Sequence, residues 1–277
     1  MRKILRIELK RVWKNPQTWV ALAIGFAVSV FHLCHNILPH IEIWYEELLI
    51  PKSDYQYPYY LFNSWICGSA AYLEGFIYFF IIPLLAVLPC GLSFMEDREN
   101  GYIRQIYTHA ERREYLTAKT ITSFITGGTV VTLPLLFNFL ICAMLLPALY
   151  PQNMVGTFVN ADVLWFRLYE RYPLVYVLIF LVMDFIYAGL CAALPLFFSY
   201  YSDRKFIVLL MPFVIHMFSY SVGMMLPSPQ AIDYTPPTFL FAAYGCPSWW
   251  PLLLYGGVYF MMGGPIFWNI GKKEDIF

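Results

Sequence analysis

Long apolar runs constrain this chain more than any other feature of its sequence. Six stretches are long enough, at roughly 20 residues each, to cross about 30 Å of hydrocarbon as helices. They cover residues 18–38, 71–94, 120–147, 173–198, 206–226 and 248–268. Charged residues make up only 13% of the chain, whereas soluble domains carry about 25%. We therefore predict an all-α membrane protein with six transmembrane helices.

Basic residues are divided unequally between the two sets of connections. With six spans, fifteen of the eighteen Lys and Arg residues lie on one side, and only Lys52, Arg167 and Arg171 lie on the other. Cytoplasmic connections retain positive charge, so the richer side is expected to face the cytoplasm. An even number of spans then places both the N and C termini there. We expect a multi-pass protein of the cell membrane, of the kind found in a bacterial plasma membrane.

Residues 2–14 precede the first apolar run and are predicted to form an amphipathic helix. Basic residues share one face, while Leu5, Leu9 and Val12 share another. Such a helix lies in the membrane interface, and Pro16 ends it. A simple positive-inside anchor and a mechanical elbow both fit this pattern. A secretory signal peptide does not, because no small-x-small cleavage site follows the first apolar run.

Two outer connections have distinctive compositions. The connection 39–70 is rich in Tyr and Trp, including Tyr60 and Trp65, as expected for side chains at the level of the lipid headgroups. The connection 227–247 has Pro at both ends and an apolar middle, which predicts a short re-entrant or surface-lying segment. Since no repeat or linker divides the sequence, we predict a single transmembrane domain over residues 1–277.

Cysteines and histidines give little indication of a metal site. The six cysteines contain no CxxC pair. Cys67 and Cys246 both fall outside the predicted spans, so the sequence leaves a disulfide between them open. His32, His35 and His40 have metal-like spacing, but no set of carboxylates or cysteines accompanies them, and we expect interfacial hydrogen bonds instead.

The largest polar connection on the cytoplasmic side is the loop 95–119. It holds five basic and five acidic residues. Gly101 is expected to break the helix that leaves the second span. An apolar face at helical spacing follows, formed by Tyr102, Ile103, Ile106 and Tyr107. This face predicts that the segment packs against another surface.

A second helix is predicted in the same loop. Thr108 and Glu111 fit a capping box, in which each side chain satisfies a free amide at the start of a helix. The new helix would begin there and continue into the third span. A plain helix-loop-helix connector is the simplest interpretation of the loop as a whole.

The order of residues in this loop resembles that of ABC-2 type permeases, the transmembrane subunits of ABC exporters. After their second span, these permeases carry a charged cluster, a Gly, a short helix, a Thr or Ser, an Arg pair and a Lys opening the third span. The residues in those places are Glu99, Gly101, Thr108, Arg112, Arg113, Leu116 and Lys119. Tyr102, Ala110 and Ala118 depart from the pattern, where a small polar residue, Pro and Gly are usual.

The resemblance extends to the N-terminal helix, the six spans and the segment before the last span, and it carries implications about partners. In that family the loop is a coupling helix that sits in a cleft of the ATPase subunit. The implied docking residues are Glu99, Gly101, Tyr102, Ile103, Arg104, Ile106, Tyr107, Arg112 and Arg113. The implied assembly contains two ABC ATPase subunits and a second permease chain, identical or related, within the lipid bilayer. Nucleic acid is not an expected partner.

The chain lacks the motifs of an ATPase or a common hydrolase. No GxxxxGK[ST] stretch occurs, and HExxH and GxSxG are also absent from the sequence. We therefore expect no catalytic residue, metal or cofactor on this chain, and expect ATP and Mg to be bound by the partner ATPase.

Four ionisable or amide side chains inside the predicted spans are candidates for intramembrane polar contacts. Asp184 and His216 lie near the midpoints of the fourth and fifth spans, and we expect them to pair. Asn138 and Glu74 are weaker candidates of the same type. Such groups serve either as interhelical contacts or as substrate contacts.

The function expected from these observations is outward movement of an amphipathic substrate, such as a peptide, a drug or a lipid-like molecule. An integral membrane enzyme is the alternative, and it would require catalytic groups at one membrane depth. A non-transporting scaffold or sensor subunit is the other alternative, in which the loop docks a partner but nothing crosses the membrane.

Overall fold

The fold is taken from a computed structural model of the chain. The structure describes residues 1–39, 41, 60–149, 151, 159 and 162–273. Within these residues the chain is all helical and contains no strand. In the aromatic-rich connection 39–70, residues 40 and 42–59 lie outside the described residues, and His40 is among them.

Thirteen α-helices are described. In chain order they are α1 (Arg2–Lys14), α2 (Pro16–His32), α3 (Leu61–Ser64), α4 (Leu73–Val87), α5 (Ser93–Glu99), α6 (Tyr102–Tyr107), α7 (Arg112–Leu145), α8 (Phe166–Arg171), α9 (Pro173–Phe198), α10 (Lys205–Met225), α11 (Pro236–Phe239), α12 (Trp250–Met261) and α13 (Phe267–Lys273). A π turn (Leu33–Ile37) extends α2, a 3₁₀ turn (Pro229–Tyr234) precedes α11, and a second π turn (Met262–Ile266) joins α12 to α13.

Four described helices are long and apolar enough to cross a membrane. They are Pro16–Ile37, Arg112–Leu145, Pro173–Phe198 and Lys205–Met225. These four helices coincide with predicted spans and are compatible with a multi-pass membrane protein. Six spans and cytoplasmic termini stay predictions.

The second and sixth predicted spans differ from the other four. In place of one helix over 71–94, α4 has 15 residues and ends at Val87, and α5 begins only at Ser93. Pro89 lies in the intervening turn, where it lacks the N–H that would continue the helix. The sixth predicted span falls on α12, the π turn and α13, which follow one another without a gap from Trp250 to Lys273.

The centre of the bundle is the contact between α7 and α9, the most extensive one between described helices. Small residues allow the two backbones to approach closely. A β-carbon added at Gly128 would lie 2.7 Å from the carbonyl oxygen of Phe185, and one added at Gly189 would lie 2.6 Å from that of Phe124. Close backbone approach of this kind is how helices associate where water supplies no hydrophobic driving force.

Two buried segments, made of short helices and turns, fill one end of the bundle, opposite the end that holds α5 and α6. Residues 60–69 are buried almost throughout, so Tyr60 and Trp65 belong to the protein interior and do not form a belt at the headgroups. Residues 239–243 are also buried, which favours the re-entrant over the surface-lying interpretation. Phe241 stacks on Phe79 with ring centroids 4.8 Å apart, and the Tyr176 hydroxyl donates to the carbonyl of Ala242 at 2.7 Å.

Cys67 lies in the first of these segments, and Cys246, which is also buried, follows the second. Both are free thiols in the structure, so no disulfide joins them. Their burial agrees with the behaviour of cysteine as a small apolar residue.

Candidate functional site

The loop 95–119 forms two short helices joined at a glycine. α5 ends at Glu99, and Gly101 adopts the left-handed conformation with φ of 70° immediately before α6. A residue with a β-carbon is strained at this φ, whereas Gly is not. The predicted break at Gly101 is confirmed.

The predicted capping box is wrong. Thr108 remains in the helical region, with φ of −77° and ψ of −19°, at the end of α6. Its hydroxyl donates to the carbonyl of Gln105 at 2.7 Å, and Glu111 precedes α7 without a capping side-chain hydrogen bond. The helix therefore begins at Arg112, because the Thr108 hydroxyl is occupied by the helix before it.

The apolar face of α6 packs within the chain itself. Ile103 is 1% exposed and belongs to a cluster with Phe94, Tyr115 and Phe267. Ile106, Tyr102 and Tyr107 are half-buried against the same cluster. The sequence predicts that this face packs against another surface. For Ile103, that surface is the interior of this protein.

The opposite side of α6 carries polar, exposed side chains. These are Arg104, Gln105, Thr108 and His109. We call these four residues the polar face of α6. The two other arginines among the implied docking residues are Arg112 and Arg113. Arg112 lies over the Tyr107 ring at 5.2 Å, and Arg113 is exposed in the first turn of α7.

A buried ion network joins this loop to the N-terminal helix. Lys119 donates to Glu8 at 2.8 Å and to Asp97 at 2.5 Å. Arg11 donates to Asp97 at 2.7 Å and to Glu8 at 3.0 Å. The Tyr115 hydroxyl donates to Asp97 at 2.6 Å. We call these five residues the ion network, and they hold α1, α5 and α7 together.

The charges of the ion network compensate each other. Side chains of Glu8, Asp97 and Lys119 are at most 2% exposed, and only Arg11 reaches the surface. Burial by itself would raise the pKa of Asp97, but the charge of Lys119 and the hydrogen bonds from Arg11, Lys119 and Tyr115 lower it below its ordinary value. Two buried carboxylates thus lie beside two cations, which is the condition for burying charge.

Two further ion pairs join α5 to the connection between α9 and α10. Arg98 donates to Asp203 at 2.7 Å, and Lys205 lies 2.7 Å from Glu99. Glu99, a predicted docking residue, is therefore paired within the chain. Together with the ion network, these pairs attach α5 to elements that lead into four of the predicted spans.

Asn138 lies in a second polar cluster, at the end of the bundle that holds residues 60–69. Its amide oxygen accepts from the backbone N–H of Ile66 at 2.9 Å. Its amide nitrogen donates to the carbonyl of Ser29 at 3.2 Å and lies 3.1 Å from His32 Nδ1. We call Ser29, His32, Ile66 and Asn138 the amide cluster. It joins α2, α7 and the buried segment 60–69.

Glu74 is also paired. Its carboxylate lies 2.9 Å from His35 Nδ1, so His32 and His35 have separate partners. His40 lies outside the described residues. Within the residues that the structure describes, no group of three or more His, Cys, Asp or Glu side chains is arranged to hold a metal ion.

Asp184 and His216 do not form the predicted pair. Both carboxylate oxygens of Asp184 and Nε2 of His216 are buried without a hydrogen-bond partner. His216 instead contacts the backbone of Phe79. Equal depth along two spans does not fix the direction of a side chain around each helix axis, and direction decides whether two groups meet.

Sequence reasoning missed the ion network. The sequence pattern identifies Lys119 only as a residue of the loop, and it does not single out Glu8, Asp97 or Tyr115. One signal was available: Glu8 interrupts the stripe that joins Leu5 to Val12 on the buried side of α1. A lone carboxylate on an apolar stripe indicates a buried partner, though not which one.

Comparison of the chain with family models, with curated proteins and with solved structures finds no match. The resemblance to ABC-2 permeases stays a prediction from the order of the loop residues and the helical pattern.

Proposed function

We propose that this chain is the membrane-spanning permease subunit of an ATP-driven ABC exporter, located in the cell membrane with both termini in the cytoplasm. It would work with two copies of a separate ATPase subunit and with a second permease chain. The cargo would be an amphipathic molecule that moves outward. ATP and Mg would be bound by the ATPase.

The observation that carries this proposal is the combination of a free polar face and a fixed apolar face on α6. Ile103 anchors α6 to the bundle, while Arg104 and His109 remain exposed. A segment that transmits force needs one surface for the motor and another for the spans. The polar face of α6 is the surface available to a partner, so we assign the ATPase contact to it.

The links of α5 provide a route from that contact to the spans. Asp97 ties α5 to α1 and α7 through the ion network, and Arg98 ties it to the start of α10 through Asp203. A displacement of α5 and α6 would therefore act on several helices together. Rigid-body movement of packed helices is a common form of conformational change in proteins.

The test is reversal of charge on the polar face of α6. Arg104→Glu changes an exposed residue, so the fold is expected to be retained. The tagged protein is purified from membranes of its own host, and ATP-binding chains are labelled with photoreactive 8-azido-ATP. Like charge placed in a charged interface costs several kcal/mol, and about 1.4 kcal/mol already corresponds to a factor of ten, so we expect more than tenfold less labelled ATPase with the variant.

Arg171→Glu is the matched control, because Arg171 is an exposed arginine near the opposite end of α9. It should copurify with as much labelled ATPase as the unchanged chain. Equal labelling with Arg104→Glu would overturn the docking surface. A purified chain without any labelled ATPase would overturn the exporter proposal itself.

A further inference from the structure

A cavity of about 300 Å³ lies between α7, α9 and the two helices that meet at the second π turn. Its walls are almost entirely apolar and include Phe124, Leu190 and Phe260. Phe260 is 53% exposed, so the cavity opens towards the surroundings of the bundle. Its volume is at the lower end of the range, roughly 300–1,000 Å³, of sites that bind small ligands.

The π turn is the reason for this cavity. Gly264 lines it, and a β-carbon added at Gly264 would meet no heavy atom within 4 Å. π turns disturb helix packing locally and occur frequently at functional sites. The side of the turn where a side chain would normally fill space is therefore left open.

The side chains that carry a polar group stand at one end of the cavity, although its exposed lining is apolar. At one end, Trp268 Nε1 donates to the Thr120 hydroxyl at 3.2 Å, and Thr117 is a further lining residue. Tryptophan and hydroxyl groups of this kind are typical of the boundary between hydrocarbon and headgroups. Phe124 and Phe260 line the deeper part.

Two basic residues lie beyond the end of the cavity that Thr117 lines. α7 and α13 run side by side in opposite directions, because Thr120 is paired with Trp268 and Leu116 packs against Gly271. Arg113 lies one turn before Thr117, and Lys272 lies one turn after Trp268. Both are exposed.

The acidic residue that follows Arg113 in the sequence does not cancel its charge. The Glu114 carboxylate is paired with the Met1 amino group at 2.9 Å. Among the residues that the structure describes, Arg113 and Lys272 therefore place two positive charges beyond the Thr117 end of the apolar cavity. A phospholipid has the same order of groups, with a phosphate, a polar ester region and an acyl chain.

We propose that this cavity binds one anionic phospholipid, with an acyl chain between α7, α9 and the second π turn and the phosphate between Arg113 and Lys272. The site does not depend on the exporter assignment, since a membrane protein of any function has lipid on this side. Its occupancy would fix α7 against α13, and so would stabilise the end of the bundle that holds the ion network.

The experiment measures lipid binding to the purified protein in detergent by native mass spectrometry. Phosphatidylglycerol is the anionic probe, and phosphatidylcholine is the zwitterionic comparison. The unchanged chain should bind one phosphatidylglycerol saturably. A β-carbon at Gly264 meets no heavy atom within 4 Å, so Gly264→Leu should extend a side chain into the cavity, and we expect about tenfold weaker binding of this lipid.

Gly257→Leu is the matched control. Gly257 lies in α12, and its added β-carbon also meets nothing within 4 Å, but Gly257 does not line the cavity. This variant should bind phosphatidylglycerol as the unchanged chain does. Circular dichroism and gel filtration check that both leucine variants are folded.

Charge removal tests the other half of the site and does not disturb the cavity. A basic residue near a lipid surface contributes about fivefold to binding, so Arg113→Gln and Lys272→Gln should each weaken phosphatidylglycerol by about that factor. Arg167→Gln, at the opposite end of the bundle, should have no effect. Unchanged binding by Gly264→Leu would overturn the acyl-chain site. Equal binding of both lipids would overturn the preference for an anionic lipid, and unchanged binding by both Arg113→Gln and Lys272→Gln would overturn the phosphate contact.

Discussion

The ion network and the amide cluster are built on the same plan from different chemistry. Each joins three segments, and each is buried at one end of α7. The ion network uses two carboxylates and two cations, whereas the amide cluster uses an amide, an imidazole and backbone groups. One therefore depends on charge compensation, and the other depends on hydrogen bonds between neutral groups.

The difference between these clusters determines how each responds to damage. Loss of one member of a buried ion pair leaves an uncompensated charge, which costs far more than an unpaired neutral group. The charged cluster lies next to α6, where the Arg11 guanidinium is 4.5 Å from the centre of the Tyr102 ring, and the neutral cluster secures the buried segment 60–69. The charged cluster is therefore expected to be the more sensitive of the two to the loss of one member.

The largest effect is expected from Lys119→Met. This change leaves Glu8 and Asp97 with only Arg11 between them, and it should destabilise the protein by about 3–5 kcal/mol. Unfolding by SDS in mixed micelles measures the free energy of unfolding. The double variant Lys119→Met with Asp97→Asn restores charge balance and should recover most of the loss. A single variant as stable as the parent would contradict the role of the network.

An intermediate effect is expected from Asn138→Leu. The side chain keeps a similar size but leaves the Ile66 N–H and the Ser29 carbonyl without their partner, at a cost of about 1–3 kcal/mol. The same unfolding measurement applies. Leu140→Asn, a matched exchange at a residue that is 53% exposed, controls for a general effect of substitution in α7. If Asn138→Leu lowered the free energy of unfolding more than Lys119→Met does, the amide cluster would contribute more to stability than the ion network.

The smallest effect within the accessible pH range should be the acid response of the ion network. The pKa of Asp97 is lower in the folded than in the unfolded protein, so its stabilising contribution is complete above the unfolded value of about 3.9 and is lost as the pH falls through the folded value. Thermal unfolding in detergent between pH 3 and pH 6 should show this decline. Asp97→Asn should reduce it, whereas Asn138→Leu should leave its slope unchanged.

Much of the helical framework could be predicted from local patterns. The helix Pro173–Phe198 has the bounds of the predicted fourth span, since Pro173 starts it and uninterrupted apolar residues continue it. Gly101 likewise marks, in the sequence alone, the break between α5 and α6. Hydropathy failed at 71–94, where the apolar character continues although Pro89 ends the helix pattern. Amino-acid composition shows whether a segment prefers lipid or water, but it does not show the backbone conformation.

The candidate site was predictable only in part. The order of its residues identifies the loop in the sequence. The resemblance, however, implies that the apolar face of α6 contacts a partner subunit, whereas Ile103 is buried within the chain. Asp184 and His216 were paired by depth and do not meet. Both errors arise because periodicity shows which residues share a face without showing what that face contacts.

The sequence by itself determined that this chain is helical and suited to a membrane, because apolar length and the near absence of charge act locally and need no partner. Tertiary structure alone decided which polar groups meet. Glu8 and Lys119 are separated by more than a hundred residues, and the 2.8 Å between their charged atoms exists only because α1 packs against α7. Long-range pairing of this kind depends on the orientation of whole helices, which no local pattern encodes.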